Sequence, residues 1–123
     1  MKKIIIILFV ILNSNAFALA KNTTFNHEVF QEAQSDGKTV VINSWNKTCS
    51  TCAKQVKILE QAQKDFDDIL FLSFEQTKDI DIAKSLDIDY WTTIVVYKNN
   101  IEISRSMGQT SKGKIYSQIK PLK

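Results

Sequence analysis

Hydrophobic and polar positions change their period several times along the chain, and each change marks an element. Phe25, Val29, Phe30 and Ala33 recur at steps of three and four, which predicts a helix over Phe25 to Gln34, ended by a turn at Asp36-Gly37-Lys38. Thr39 to Ser44 is short and mostly apolar, the pattern of a strand buried on both faces of a sheet. From Cys52 onward the set Cys52, Val56, Leu59, Ala62 and Phe66 makes one stripe of a long helix, with Lys54, Lys57, Glu60, Gln61 and Lys64 on its wet side. Ile69 to Phe74 predicts the next strand, and Asp79 to Leu86 a short helix with Ile80, Ala83 and Leu86 inward. Ile94 to Tyr97 predicts another strand. Asn99-Asn100 suits a tight hairpin because Asn tolerates positive φ, and Ile101 to Ser106 returns antiparallel. Ser111 caps a last helix with Ile115 and Ile119 inward, which Pro121 stops. The order is βαβ with a hairpin appended. It predicts an α/β fold, a central mixed sheet flanked by helices on both faces.

The start of the chain follows a different pattern. Met1-Lys2-Lys3 precedes an apolar run from Ile4 to Leu12, and Ala16-Phe17-Ala18 and Ala18-Leu19-Ala20 are both acceptable cleavage sites. The run is too short for a membrane-spanning helix, which needs roughly 20 residues. Residues 1–20 are therefore expected to be a cleavable signal peptide, removed after Ala18 or Ala20, and 21–123 one exported domain. Bacterial export to the periplasm would place the chain where disulfides persist.

Composition then excludes several functions. The formal charge is +3, but two of the 16 basic residues, Lys2 and Lys3, lie in the leader. That leaves 14 against 13 acidic residues, a net of +1. There is no clustered Lys/Arg stripe with an aromatic ladder beside it, so no nucleic-acid partner is expected. The three glycines, Gly37, Gly108 and Gly113, cannot form a Gly-rich phosphate loop.

Candidate chemistry is concentrated where the first strand meets the long helix. Cys49 and Cys52 are the only cysteines, and at a helix start two thiols at this spacing can close a disulfide with little backbone movement. Cys49 would sit at the positive end of the helix, with Lys47 nearby, which favours its thiolate. Cys52 lies on the core stripe. This asymmetry makes Cys49 the attacking thiol and Cys52 the resolving one, with the redox-active disulfide itself in place of any cofactor or metal. Zinc would need about four ligands, and only His27 offers a further soft donor. A purely structural disulfide closing so short a loop would add little, because the entropic benefit shrinks with loop size.

In this stretch the chain resembles thioredoxins, in particular the secreted or periplasmic TlpA-type thiol–disulfide reductases. Trp45 stands four residues before Cys49, as in the family's W-x-x-x-C-x-x-C pattern. Thr93-Ile94-Val95-Val96-Tyr97-Lys98-Asn99-Asn100 is similar to the family's T-L-L-L-F-K-N-G strand and hairpin, and Gly108 and Ser111-Lys112-Gly113 fall at its spacing. The resemblance implies a thioredoxin-like fold over 21–123, with Trp45, Thr48, Trp91 and Thr92 around the client and Asn43 and Lys47 in support.

Four positions depart from the family pattern. Asn43 stands where cytoplasmic thioredoxins carry a buried carboxylate, and an amide cannot act as a base. Thr48 replaces a Trp beside the first cysteine, and Lys57 replaces a helix proline. Thr92 stands where the family has a cis-proline. A cis bond before Thr costs about 2.5–4 kcal/mol, so the Trp91–Thr92 bond is expected to be trans. On the same reasoning Thr92→Pro is expected to favour a cis bond and restore family-like docking.

The resemblance further implies a monomeric reductase of oxidised exported proteins, apocytochromes among them, drawing electrons from a membrane thiol-electron transporter. Two other classes stay open on the residues alone. A copper- or metal-binding module could use the Cys49/Cys52 pair without turnover, although Met107 is the only methionine after the leader. A plain client-binding domain would keep its function on Cys49→Ser.

Overall fold

The computed structural model describes residues 23–120. The expected leader, its expected cleavage sites and Pro121 lie outside them. The described residues form a five-stranded mixed sheet in the order β1-β3-β2-β4-β5. Its strands are β1 (Thr23–Thr24), β2 (Thr39–Trp45), β3 (Ile69–Glu75), β4 (Thr93–Lys98) and β5 (Ile101–Met107). The helices are α1 (His27–Ser35), α2 (Ser50–Asp65), α3 (Ile80–Ser85) and α4 (Lys112–Ile119). β3 runs parallel to both β1 and β2, whereas β4 pairs antiparallel with β2 and β5.

Alternation along the strands divides the core into two layers. Val40 and Ile42 point to the side where Phe25, Ala33, Leu86 and Ile88 pack; Val41 points to the side of Leu59, Ala62, Ile115 and Ile119. This is why β2 reads as continuously apolar: Val40 to Ser44 are buried with no wet face. The Asn99-Asn100 turn has φ of 52° and 64°, the doubly positive geometry of a tight primed hairpin.

Three details of the helices differ from expectation. α1 begins after Asn26, whose side chain accepts from the Glu28 and Val29 amides, so Phe25 is a buried residue ahead of the cap and Val29 is exposed. Ile80 is 54% exposed, because α3 starts there and turns Ile82 onto the core instead. On α2 the fully buried residue one turn after Cys52 is Gln55, while Val56 is only partly buried. The strand β1 carries no apolar signal at all. Two threonines form it by pairing with Leu72 and Ser73.

Candidate functional site

The site lies at the carboxyl end of β2, where the chain leaves the sheet and enters α2. Asn46 shapes the connecting loop: its Oδ1 lies 3.1 Å from both the Thr48 amide nitrogen and Thr48 Oγ1, each able to donate. Cys49 is the N-cap residue of α2, with extended backbone (φ −101°, ψ 108°). A cap normally offers an oxygen to the orphan amides of the first turn. Here a sulfur does so, since Cys49 Sγ accepts from the Cys52 amide at 3.1 Å. The same amide, together with the helix dipole, would favour negative charge on Cys49 Sγ in the reduced pair.

Cys49 and Cys52 form a disulfide with Cα atoms 5.2 Å apart. Cys49 is partly exposed, whereas Cys52 is 2% exposed. One sulfur is open to a partner molecule and the other faces inward. Among the described residues no group of three or more His, Cys, Asp or Glu stands together, so any metal reading rests on these two sulfurs alone.

The loop before β4 packs against this end of the sheet. Trp91–Thr92 is a trans peptide, as the local penalty implies, and Thr92 has φ +66°, a left-handed conformation unusual for a β-branched residue. Its backbone is fully engaged. The Thr92 amide donates to the Ser44 carbonyl at 2.8 Å, and its carbonyl accepts from the Gly108 amide at 3.0 Å. The Thr93 hydroxyl donates to the Tyr90 carbonyl at 2.7 Å, and buried Ser44 Oγ lies 2.9 Å from that same oxygen. Trp91, between these anchors, is 45% exposed and has no hydrogen bond within the described residues. Tyr90 and Met107 are each 64% exposed, and Met107 pairs with Thr93 across the β4–β5 ladder. Together with Trp91 they make an apolar rim at the site's end of the sheet.

Asn43 lies beneath α2 and is 3% exposed, with no hydrogen-bond partner for its Nδ2 among the described residues. It lines a cleft of about 600 Å³ between α2 and the sheet, together with Trp45, Lys47, Val56, Leu59 and Phe71. Trp45 is half-buried, and its carbonyl accepts from the Gln76 amide at 2.9 Å. Lys47 and Thr48 are exposed on the loop. The residues expected around the sulfurs therefore lie in two segments, 43–52 and 90–93, at one end of the fold, and the structure adds residues 107–109 to them.

Two residues that matter here were not among those expected. Gln76 Nε2 donates to the Ile88 carbonyl, and its Oε1 lies 2.8 Å from Ser44 Oγ, so it braces the end of β2. Gln55 is wholly buried and donates to the Thr92 and Gln109 carbonyls, both at 3.0 Å. Its place on the inward stripe is compatible with the i, i+3 step from Cys52. The competing i+4 residue, Val56, is apolar and draws the eye.

A disulfide closed across the first turn of a helix, at the end of a parallel strand of a mixed sheet, defines a thiol–disulfide oxidoreductase of thioredoxin-like fold. Comparison with known proteins agrees. The thioredoxin family model matches residues 17–121, and the chain belongs to the thioredoxin family. It is 31% identical over 85 residues to a thioredoxin of Mycoplasma genitalium, covering 69% of this chain and 83% of that one. Among solved structures it is similar to Trxlp of Edwardsiella tarda EIB202, with a TM-score of 0.75, 19% identity, and coverage of 79% of this chain and 96% of that one. It is also similar to oxidised mitochondrial thioredoxin 3 of Saccharomyces cerevisiae, with a TM-score of 0.71, 22% identity, and coverage of 82% and 95%.

Proposed function

We propose that the protein is an exported, periplasmic thioredoxin-like reductase that opens disulfides in other exported proteins. The observation that carries this reading is the unequal placement of the two sulfurs: Cys49 is partly exposed at the helix cap, and Cys52 is 2% exposed behind it. The reduced Cys49 thiolate attacks one sulfur of a client disulfide, forming a Cys49–client S–S bond and expelling the client's other sulfur as a thiolate. Cys52, once deprotonated, attacks Cys49 Sγ, re-forms Cys49–Cys52 and releases the second client thiolate. Two electrons pass from the cysteine pair to the client, and protons follow from solvent. Asn43 cannot take the proton of Cys52, so water or a client group does so.

The exposed edge at Trp91 supports this reading, because its unpaired backbone N–H and C=O, at the same end of the sheet as the sulfurs, can add an extended client segment as a short β-pairing. Trp45 and Thr48 complete the client-facing surface, and Lys47 adds positive charge beside Cys49. Electrons would reach the pair from a membrane thiol-electron transporter, and the enzyme would work as a monomer. The reduction potential of the Cys49–Cys52 pair, measured in glutathione buffers, tests the direction of exchange. A value near −270 mV, thioredoxin's, is expected for a reductase; one near −120 mV would make the protein an oxidant.

A further inference from the structure

We propose that Gln55 is a positioning residue that holds the client-docking edge at Trp91 in register with the sulfur pair. Gln55 sits one turn after Cys52 on α2 and is 0% exposed. A leucine would fill a buried stripe position without any polar group to satisfy. The amide instead leaves its Oε1 buried without a partner. Its Nε2 spends both hydrogens on backbone carbonyls of two separate loops, Thr92 O and Gln109 O. Thr92 O also accepts from the Gly108 amide, so one carbonyl joins the loop before β4, the loop after β5 and the helix that carries Cys52. Trp91, whose backbone is free, is held from its C-terminal side by this junction and by the Thr92 amide bond to Ser44. Where the family carries a proline at this place, the ring stiffens the loop itself. Thr92 cannot do so, and the amide of Gln55 supplies the constraint from the helix side.

The inference rests on the docking role proposed above for Trp91, and two substrates separate the two ideas. A protein disulfide needs both the docking edge and Cys49, whereas dithiobis(nitrobenzoate) needs little beyond an accessible Cys49 thiolate. Rates for insulin and for dithiobis(nitrobenzoate) are compared in the parent, Gln55→Leu and Gln55→Glu. Losing two hydrogen bonds that position the edge should lower kcat/KM for insulin about tenfold more than the rate for the small disulfide, mainly through KM. Gln55→Glu keeps the shape and adds a pH signature. Its carboxyl can donate one hydrogen bond while protonated, but repels both carbonyls once ionised. Its insulin-to-small-disulfide ratio should therefore fall as pH rises, while the parent's ratio stays flat. Parallel losses on both substrates, or a ratio in Gln55→Glu that ignores pH, would overturn the inference and leave the reductase reading intact. A parent protein that reduces dithiobis(nitrobenzoate) but not insulin would overturn both.

Discussion

Asn43→Asp would place a carboxyl beneath α2, the helix that carries the resolving cysteine, and its cost can be worked from the surroundings. Asn43 is 3% exposed, and its Nδ2 has no hydrogen-bond partner among the described residues. The cleft that it lines carries Lys47 and Lys78 but also Glu60, Glu75 and Asp79, so no net positive charge awaits a carboxylate. Desolvation then dominates. An aspartate that titrates near 3.9 in an unfolded chain would move up by about 3 units or more when buried without donors. At 1.36 kcal/mol per unit this is roughly 4 kcal/mol of lost stability at pH 7, a large part of the 5–15 kcal/mol typical of a domain.

The sign follows from which state ionises first. Below pH 4 the carboxyl is protonated in both states, and the ionisation cost is absent. As pH climbs from about 4 to 7 the unfolded chain ionises and the folded one resists, so stability falls through that window and levels off above the folded pKa. Urea midpoints of parent and variant should therefore converge at pH 4 and separate by pH 7. The gain is kinetic. A base that titrates near neutrality can take the Cys52 proton, and such bases are worth about 10²-fold or more in favourable cases. With dithiobis(nitrobenzoate) in stopped flow, attack by Cys49 releases one thionitrobenzoate and resolution by Cys52 the second. Only the second phase should accelerate. An altered first phase with an unchanged second, or stability independent of pH, would refute the reasoning.

Mild alkylation of the reduced protein, mapped by mass, should label Cys49 before Cys52, because only Cys49 is reachable at the helix cap; labelling of Cys52 first would exchange their roles. Far from the site, Tyr116 donates to Asp65 at 2.6 Å. Desolvation, followed by that hydrogen bond, pushes the phenol up to about 12, while the same bond holds the Asp65 carboxyl below its ordinary value. Ultraviolet titration of Asp65→Asn should return one tyrosine toward 10, and a carboxyl titration of Tyr116→Phe should show Asp65 rising; no movement in either would show that the contact is not kept in solution.

What the sequence made legible was whatever a local pattern encodes. The apolar run of β2, the stripe of α2, the paired Asn turn and the Ser111 cap each need only a few neighbouring residues, and each is present. The Cys49/Cys52 asymmetry also follows from one helix turn. What stayed hidden depends on contacts between distant segments. β1 exists only because β3 offers it an edge. Gln55 and Gln76 act through carbonyls 12 to 54 residues away, and no spacing rule marks a buried glutamine as a brace.

Thr92 shows both halves of this lesson and carries the last prediction. Counting from the β4 motif places a threonine where the family has proline, and the intrinsic penalty for a cis bond gives a trans peptide. Neither argument reaches φ +66°, which follows from the Ser44 carbonyl on one side and the Gly108 amide on the other. A left-handed conformation costs an L residue roughly 1–2 kcal/mol, and a glycine nothing of the kind. Thr92→Gly should therefore raise stability by about 0.5–1 kcal/mol once glycine's greater freedom in the unfolded chain is set against the relieved strain. Proline fails on both counts that the structure imposes: its φ is locked near −65°, and it has no amide to give Ser44. Thr92→Pro must break the loop's anchor before any other geometry can form, at about 1–3 kcal/mol for the unpaired Ser44 carbonyl alone. The simple restoration of family-like docking expected from the sequence is thereby replaced by a destabilised loop. Urea denaturation of the two variants should move in opposite directions from the parent. A proline variant as stable as the parent would mean that the loop has a second arrangement of nearly equal energy, and that the Ser44 anchor matters less than its geometry implies.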